Sequence, residues 1–287
     1  MKNVLLTILS ALLAGTLSGQ ESDSAWSIED PDQLLKYETG VITLEKGNGK
    51  LTVPDGFRYL DKTQSIYVLT ELWGNPVDSE VLGMLVPANR GLLEQTSWAF
   101  KISYDELGYI KDDDADDIDY DDLLKEQQKE VEAENPERIK LGYQPIQLIG
   151  WASDPYYDKE KKVLHWAREL KFGNDSINTL NYNLRILGRK GIFLLNAIAS
   201  VHELPEVKQQ INNVIGSIEF DKGSTYADFN PDVDEVAAWT IGGLVAGKVL
   251  AKVGFFALIV KFWKVIALAA AGAGAYLWKM IKGRNAA

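Results

Sequence analysis

The chain has 287 residues, enough for one large core or two small ones, and its lack of cysteine excludes disulfides, structural zinc–thiolate sites and thiol nucleophiles. Its formal net charge of −11 is unevenly spread: residues 3–235 hold all 41 acidic residues but only 22 of the 30 basic ones, and no Asp or Glu follows Glu235. Such an exterior repels nucleic acid and anionic lipid at long range, so nucleic acid is not an expected partner, and it attracts cations or a cationic protein.

The N-terminus combines Lys2 with the apolar run Val4–Gly15, then Ser18 and Gly19 before polar Gln20-Glu21-Ser22-Asp23. This is the grammar of a signal peptide over residues 1–19. Gln20 stands where a lipoprotein carries Cys, so lipid attachment there is excluded.

Residues 25–220 are expected to form the exported domain. Val41–Leu44 and Lys50–Val53 flank Gly47-Asn48-Gly49, a β-hairpin signal. Val53–Phe57 turns the chain. Asp61 caps a helix running to Trp73, with Ile66, Leu69 and Trp73 on one face. Val81–Val86 and Trp98–Ile102 read as strands. Asp119 opens a polar helix over Tyr120–Asn135 that Pro136 ends, and its few apolar residues suggest that it lies over a sheet or projects. Tyr143–Ala152, Lys162–Lys171, Thr179–Leu187 and Gly191–Ala199 form strands with short connections, as an antiparallel meander requires. Leu204, Val207, Ile211 and Val214 repeat at helical spacing over Leu204–Ile215, with Pro205 in the first turn. Ser217–Phe220 reads as a final edge strand. The fold class is therefore α+β: an antiparallel meander with flanking helices. This order is similar to that of PsbP/Mog1-like sandwiches, an analogy of fold without activity.

Residues 221–235 read as an acidic linker, 236–280 as an apolar membrane anchor and 281–287 as a basic tail. Lysines divide the anchor, and two topologies stay open. In one, Val253–Trp278 crosses the bilayer, with Lys261 and Lys264 near its middle and Lys279, Lys282 and Arg284 in the cytoplasm. In the other, two helices form a hairpin, their small residues Gly243, Gly247, Ala251 and Ala267, Ala271, Ala275 in close contact. The same small-residue faces would allow self-association. Partners expected from these ends are the lipid bilayer and an envelope protein, and the main domain is placed in the periplasm on an inner-membrane anchor.

The run Asp112–Asp122 has eight carboxylates in eleven residues. Clustered oxygens suit weak Ca²⁺ binding, but the EF-hand pattern fails, with Asp117 where Gly is needed and Leu123 where Glu is needed. A solvated loop whose carboxylates cap the next helix is the plainer reading. His202-Glu203-Leu204-Pro205-Glu206 begins like a zincin helix but lacks the second His. No catalytic residue is assigned, and no cofactor is expected beyond that weak Ca²⁺ binding.

Several segments in one order, Tyr143–Trp151, Pro155–Asp158, Leu164–Leu170, Leu180–Arg189 and Gly108–Ala115, resemble the DUF2167 family of uncharacterised bacterial membrane-anchored proteins. The resemblance extends over about Ile42–Lys282. It implies a signal peptide, an exported domain and a C-terminal anchor, and it directs attention to a ligand or partner surface at Tyr156, Trp166, Arg168, Asn181, Asn183 and Arg185. The function expected is a non-catalytic envelope domain that binds or scaffolds a protein. The alternatives are a carboxylate-dependent envelope hydrolase using Asp154, Asp158 or Glu169 with His165, and a divalent-cation module at Asp112–Asp122.

Overall fold

A computed structural model of the protein describes residues 31–247. The signal peptide, the anchor beyond Gly247 with its small-residue stripes, and the basic tail lie outside the described residues. Among the described residues, no helix is long and apolar enough to cross a membrane.

Ten strands and four helices form the described domain: β1 (Val41–Thr43), β2 (Gly49–Thr52), β3 (Phe57–Asp61), α1 (Lys62–Tyr67), β4 (Val81–Pro87), β5 (Ala99–Asp105), α2 (Tyr120–Lys140), β6 (Ile146–Asp158), β7 (Val163–Phe172), β8 (Thr179–Leu187), β9 (Ile192–Ser200), α3 (Leu204–Ile215), β10 (Ile218–Phe220) and α4 (Ile241–Ala246). Seven strands make one antiparallel sheet in the order β3-β4-β5-β9-β8-β7-β6, and β1-β2-β10 make a small second sheet. The expected α+β class holds, as do the hairpin β1–β2 and the meander β6–β9.

The period of two along the central strands sorts side chains onto two faces. Leu180, Tyr182 and Leu184 of β8 and Phe193, Leu195 and Ala197 of β9 point to one face. There they meet Val207, Ile211 and Val214 of α3, and Leu51 and Ile218 of the small sheet. The small sheet can sit this low because its turn has no Cβ at Gly47. A Cβ there would come 2.6 Å from both Phe193 and Tyr104, and the φ of +88° favours glycine in any case.

The opposite face carries two separate apolar clusters. Leu60, Val68, Met84 and Ala99 pack under α1 at one end. Leu164, Trp166, Leu187 and Ile192 pack under α2 and α4 at the other, with Leu123, Ile241 and Leu244. A polar band lies between them.

Three boundaries differ from expectation. Pro136 does not end α2, which runs on to Lys140. The carbonyl that loses its donor belongs to the exposed Glu132, where water can satisfy it. The strand expected to end at Ala152 runs on to Asp158: Ser153-Asp154-Pro155 lies within β6, whose irregular register against β7 absorbs it. Phe57–Asp61, read as turn and cap, is a strand that also supplies the cap, since the Asp61 side chain accepts from the Gln64 N–H at 2.8 Å.

The polar helix α2 lies along β6, the last strand of the large sheet. Asn135 donates to the Ile146 carbonyl at 2.8 Å and accepts from the Ile146 N–H at 2.7 Å. Gln128 donates to the Leu148 and Ile149 carbonyls at 3.2 Å each. Side-chain amides thus occupy β6 backbone groups that an edge strand would leave open. The helix therefore docks on β6 partly through polar contacts, with Leu123 and Gln127 its buried residues.

Residues 226–246, assigned partly to a linker and partly to an anchor by sequence, are seated on the domain. Val236 bridges Tyr109 in parallel, and Arg189 pairs with Asp234 at 2.7 Å. Ile241, Leu244 and Val245 are buried.

Candidate functional site

The acidic run is put to structural use. Asp112 accepts from Tyr157 Oη at 2.9 Å, Lys162 Nζ at 2.8 Å and Tyr226 Oη at 3.1 Å. Asp114 accepts from the N–H groups of Ile241 and Gly242 at 3.1 and 3.2 Å, at the start of α4. Asp116 pairs with Lys159, and Asp119 caps α2. Among the described residues, no three His, Asp or Glu side chains converge to hold a metal ion. Replacing Asp114 by alanine removes two acceptors from the first turn of α4, a loss of about 1 kcal/mol. Amide hydrogen exchange at Ile241–Val245 should then quicken about fivefold to tenfold, and unchanged exchange there would refute that capping role.

The residues proposed for a hydrolase do not form a catalytic set, although Asp158 is near enough to His165 for their charges to interact. His165 is buried on the α3 face with both ring nitrogens lacking a hydrogen-bond partner, and it stacks on Tyr156 at 4.3 Å between centroids. Burial pushes its pKa down to about 4, against the smaller upward pull of Asp158. Asp158 is occupied by the N–H groups of Glu160 and Lys161 at 3.1 and 3.0 Å. Glu169 accepts from Asn178 at 2.5 Å, and Asp154 lies beside Asp116–Asp121.

Five of the six residues singled out from sequence do come together. Asn181, Asn183 and Arg185 alternate along β8 on the face opposite α3, and Trp166 and Arg168 lie beside them on β7 in the pairs Trp166↔Asn183 and Arg168↔Asn181. Tyr156 does not join them. It is half-exposed on the other face, over His165.

Asn183 is fully buried and fully engaged. Its Nδ2 donates to the Asn181 carbonyl and Oδ1, both at 2.9 Å, and its Oδ1 accepts from Arg185 at 3.3 Å and from Asn196. Arg185 also donates to the Leu184 carbonyl at 3.0 Å, and its guanidinium lies 4.8 Å over the Trp166 ring. Arg168 donates to Gln127 Oε1 at 3.3 Å, and Gln127 donates in turn to the Val245 carbonyl of α4. Sequence reading missed Asn196 and Gln127. Asn196 was legible as the one amide in an apolar strand, whereas Gln127 sits in a polar helix among many like it.

Neither arginine has a carboxylate within ion-pair distance among the described residues. Burial and, less strongly, the Arg168 charge bring the Arg185 pKa down to about 9 against the opposing pull of Asp105. Burial lowers that of Arg168 as well. A guanidinium stays protonated in proteins, so the band holds two positive charges with no carboxylate at ion-pair distance among the described residues.

Asn181 also forms part of an open cleft of about 590 Å³ at the end of the sheet. Trp73, Tyr143, Phe172, Ile177 and Ile198 supply apolar walls, and Gln95, Gln144 and Asn178 supply amides. Exposed Val77, Leu93, Ile139 and Leu141 each lie within two residues of a lining residue.

A family model described as "Protein of unknown function (DUF2167)" matches residues 36–274. The chain belongs to the DUF2167 family. No curated protein matches it in sequence. Solved structures similar to this DUF2167 chain include the following two. The cyanobacterial PsbP (CyanoP) of Synechocystis sp. PCC 6803 is 14% identical over 63% of this chain and 91% of its own, with a TM-score of 0.36. The Ran-binding protein Mog1p of Saccharomyces cerevisiae is 12% identical over 68% of this chain and 100% of its own, with a TM-score of 0.33.

Proposed function

We propose that this DUF2167 protein is a non-catalytic, membrane-anchored envelope domain that binds a partner protein in the cleft at the end of its large sheet. The cleft itself carries the reading. Aromatic and aliphatic walls supply contact area, and flexible amides supply both donors and acceptors for a partner's backbone. Exposed apolar side chains continue that surface around the rim. The occupant that fits is an extended segment of a basic protein: extended, because amides pair with unpaired peptide groups, and basic, because residues 3–235 are strongly acidic. The buried His165 without hydrogen-bond partners among the described residues, and the carboxylates Asp158 and Glu169 engaged by other groups, weigh against a hydrolase. The apolar, acid-free sequence after Glu235 and the signal-like N-terminus support anchoring outside the cytoplasm.

Photocrosslinking in native membranes tests the cleft. A photoreactive residue at Ile177 or Leu93 should capture the same discrete adduct, and one at exposed Val41 on the small sheet should not. Ile177→Asp should weaken binding of the purified partner at least tenfold. An adduct shared with Val41, or binding indifferent to Ile177→Asp, would overturn the proposal. Protease protection of tags after Ser24, ahead of the folded domain, and after Ala287 tests the anchor. A Ser24 tag cut from outside is expected, and its protection would reject the extracytoplasmic placement.

A further inference from the structure

We propose that Arg168, Arg185 and Trp166 form a binding site for a phosphate oxyanion, separate from the partner cleft. The polar band is rich in donors that lack acceptors. Arg168 has five N–H donors and makes one side-chain hydrogen bond, to Gln127, while its Nε is buried without a partner. Trp166 is 1% exposed, and its Nε1–H, also buried, has no partner among the described residues either. Arg185, stacked over the Trp166 ring, hydrogen-bonds only to neutral oxygens among the described residues, and the Asp105 charge acts on it without a direct ion pair.

A guanidinium that is largely withdrawn from water without an adjacent anion is costly, and two that repel each other are costlier. The arrangement is balanced by an anion that brings charge and several acceptor oxygens at once. Phosphate does both, and the planar guanidinium matches its oxygens in pairs. A lone carboxylate would neutralise only one of the two arginines.

The source of the phosphate is a lipid headgroup or the free ion. Position favours the headgroup. Arg168 is joined through Gln127 to the Val245 carbonyl of α4, and the lysine-bearing apolar sequence begins immediately afterwards. The acidic exterior opposes phosphate arriving from solution, whereas tethering beside a bilayer keeps headgroups at high effective concentration.

The test uses the full chain in neutral detergent micelles and follows thermal unfolding at constant ionic strength. One arm adds inorganic phosphate, and a second adds phosphatidic acid to the micelles with phosphatidylcholine as control. At a ligand concentration about 100-fold above Kd the wild-type midpoint should rise by roughly 5–10 °C. Arg168→Met and Arg185→Met should each abolish that rise. Leu51→Ala, destabilised in the other core, should keep it, which separates loss of the site from loss of stability. A purely structural role predicts lower midpoints for both arginine variants without ligand, whereas removal of an uncompensated cation should leave them unchanged or raised. A response in the lipid arm alone assigns the headgroup, and a response to inorganic phosphate assigns the free ion as sufficient. No response in either arm, or a response retained by both arginine variants, overturns the proposal.

Discussion

Asp112→Ala should lower the stability of the folded domain by about 2–3 kcal/mol, read as a shift of the urea midpoint at unchanged slope. The carboxylate joins three elements: Tyr157 from β6, Lys162 from the β6–β7 turn and Tyr226 from the segment leading toward α4. Burial works to raise its pKa, but the Lys162 and Tyr157 hydrogen bonds, the Lys162 charge and the Tyr226 hydrogen bond together hold it below the usual carboxylate range. Alanine leaves two phenols and an ammonium without their acceptor. Lys162 keeps part of its environment, since its Nζ lies 4.9 Å from the Tyr226 ring centroid, and both charged groups retain some solvent. These remnants keep the loss below that of a fully buried pair. Asp112→Asn preserves an acceptor oxygen without the charge and should cost about half as much. A loss below about 0.5 kcal/mol for Asp112→Ala would match an ordinary surface change and refute the role of the carboxylate as a joint.

The role of Asp112 shows what the sequence could not express. It stands in an acidic run that composition describes as solvated. Only the β6–β7 register, with Asp158 opposite Val163, brings Tyr157 and Lys162 to Asp112. Local signals were legible where a single element decides the outcome. The 3,4,3 spacing of Leu204, Val207, Ile211 and Val214 located α3, and the alternation through Leu180–Arg185 located β8. That alternation also carried the site, because it forces Asn181, Asn183 and Arg185 onto one face. It did not reveal that this polar face is covered. Covering depends on α2 and α4, which are joined to the band by Gln127 and are distant from β8 in sequence. Tyr156 was misplaced for a related reason: its neighbours in sequence belong to the strand, but the irregular register within β6 puts its ring against His165 on the opposite face. The pairing of β5 with β9, which joins two meanders into one sheet, had no local signature either.

Between pH 6.5 and 4 the domain should lose about 3 kcal/mol of stability through His165 alone. The sign follows from proton counting. In the unfolded chain the imidazole takes up a proton near its ordinary value of 6.5, whereas in the fold it stays neutral until about pH 4. Across that window the unfolded state binds more protons, so stability falls as pH falls, and it levels off once both states are charged. The lowered carboxylates, Asp112 and Asp234 among them, act below this range because their ordinary value is 3.8. His165 is therefore separable from general acid denaturation. Its 2% exposure and unpartnered nitrogens mean that nothing in the fold stabilises the imidazolium except the more distant Asp158. His165→Phe retains an aromatic ring for the stack with Tyr156 and has no proton to bind. Urea unfolding of both proteins at several pH values should give a wild-type curve that steepens from pH 6.5 downward and a flatter curve for the variant. Parallel curves would show that the imidazole is hydrated or charged within the fold. The same experiment bears on catalysis, because a histidine that stays neutral to about pH 4 is a poor proton acceptor, and His165 was the imidazole on which the hydrolase reading depended.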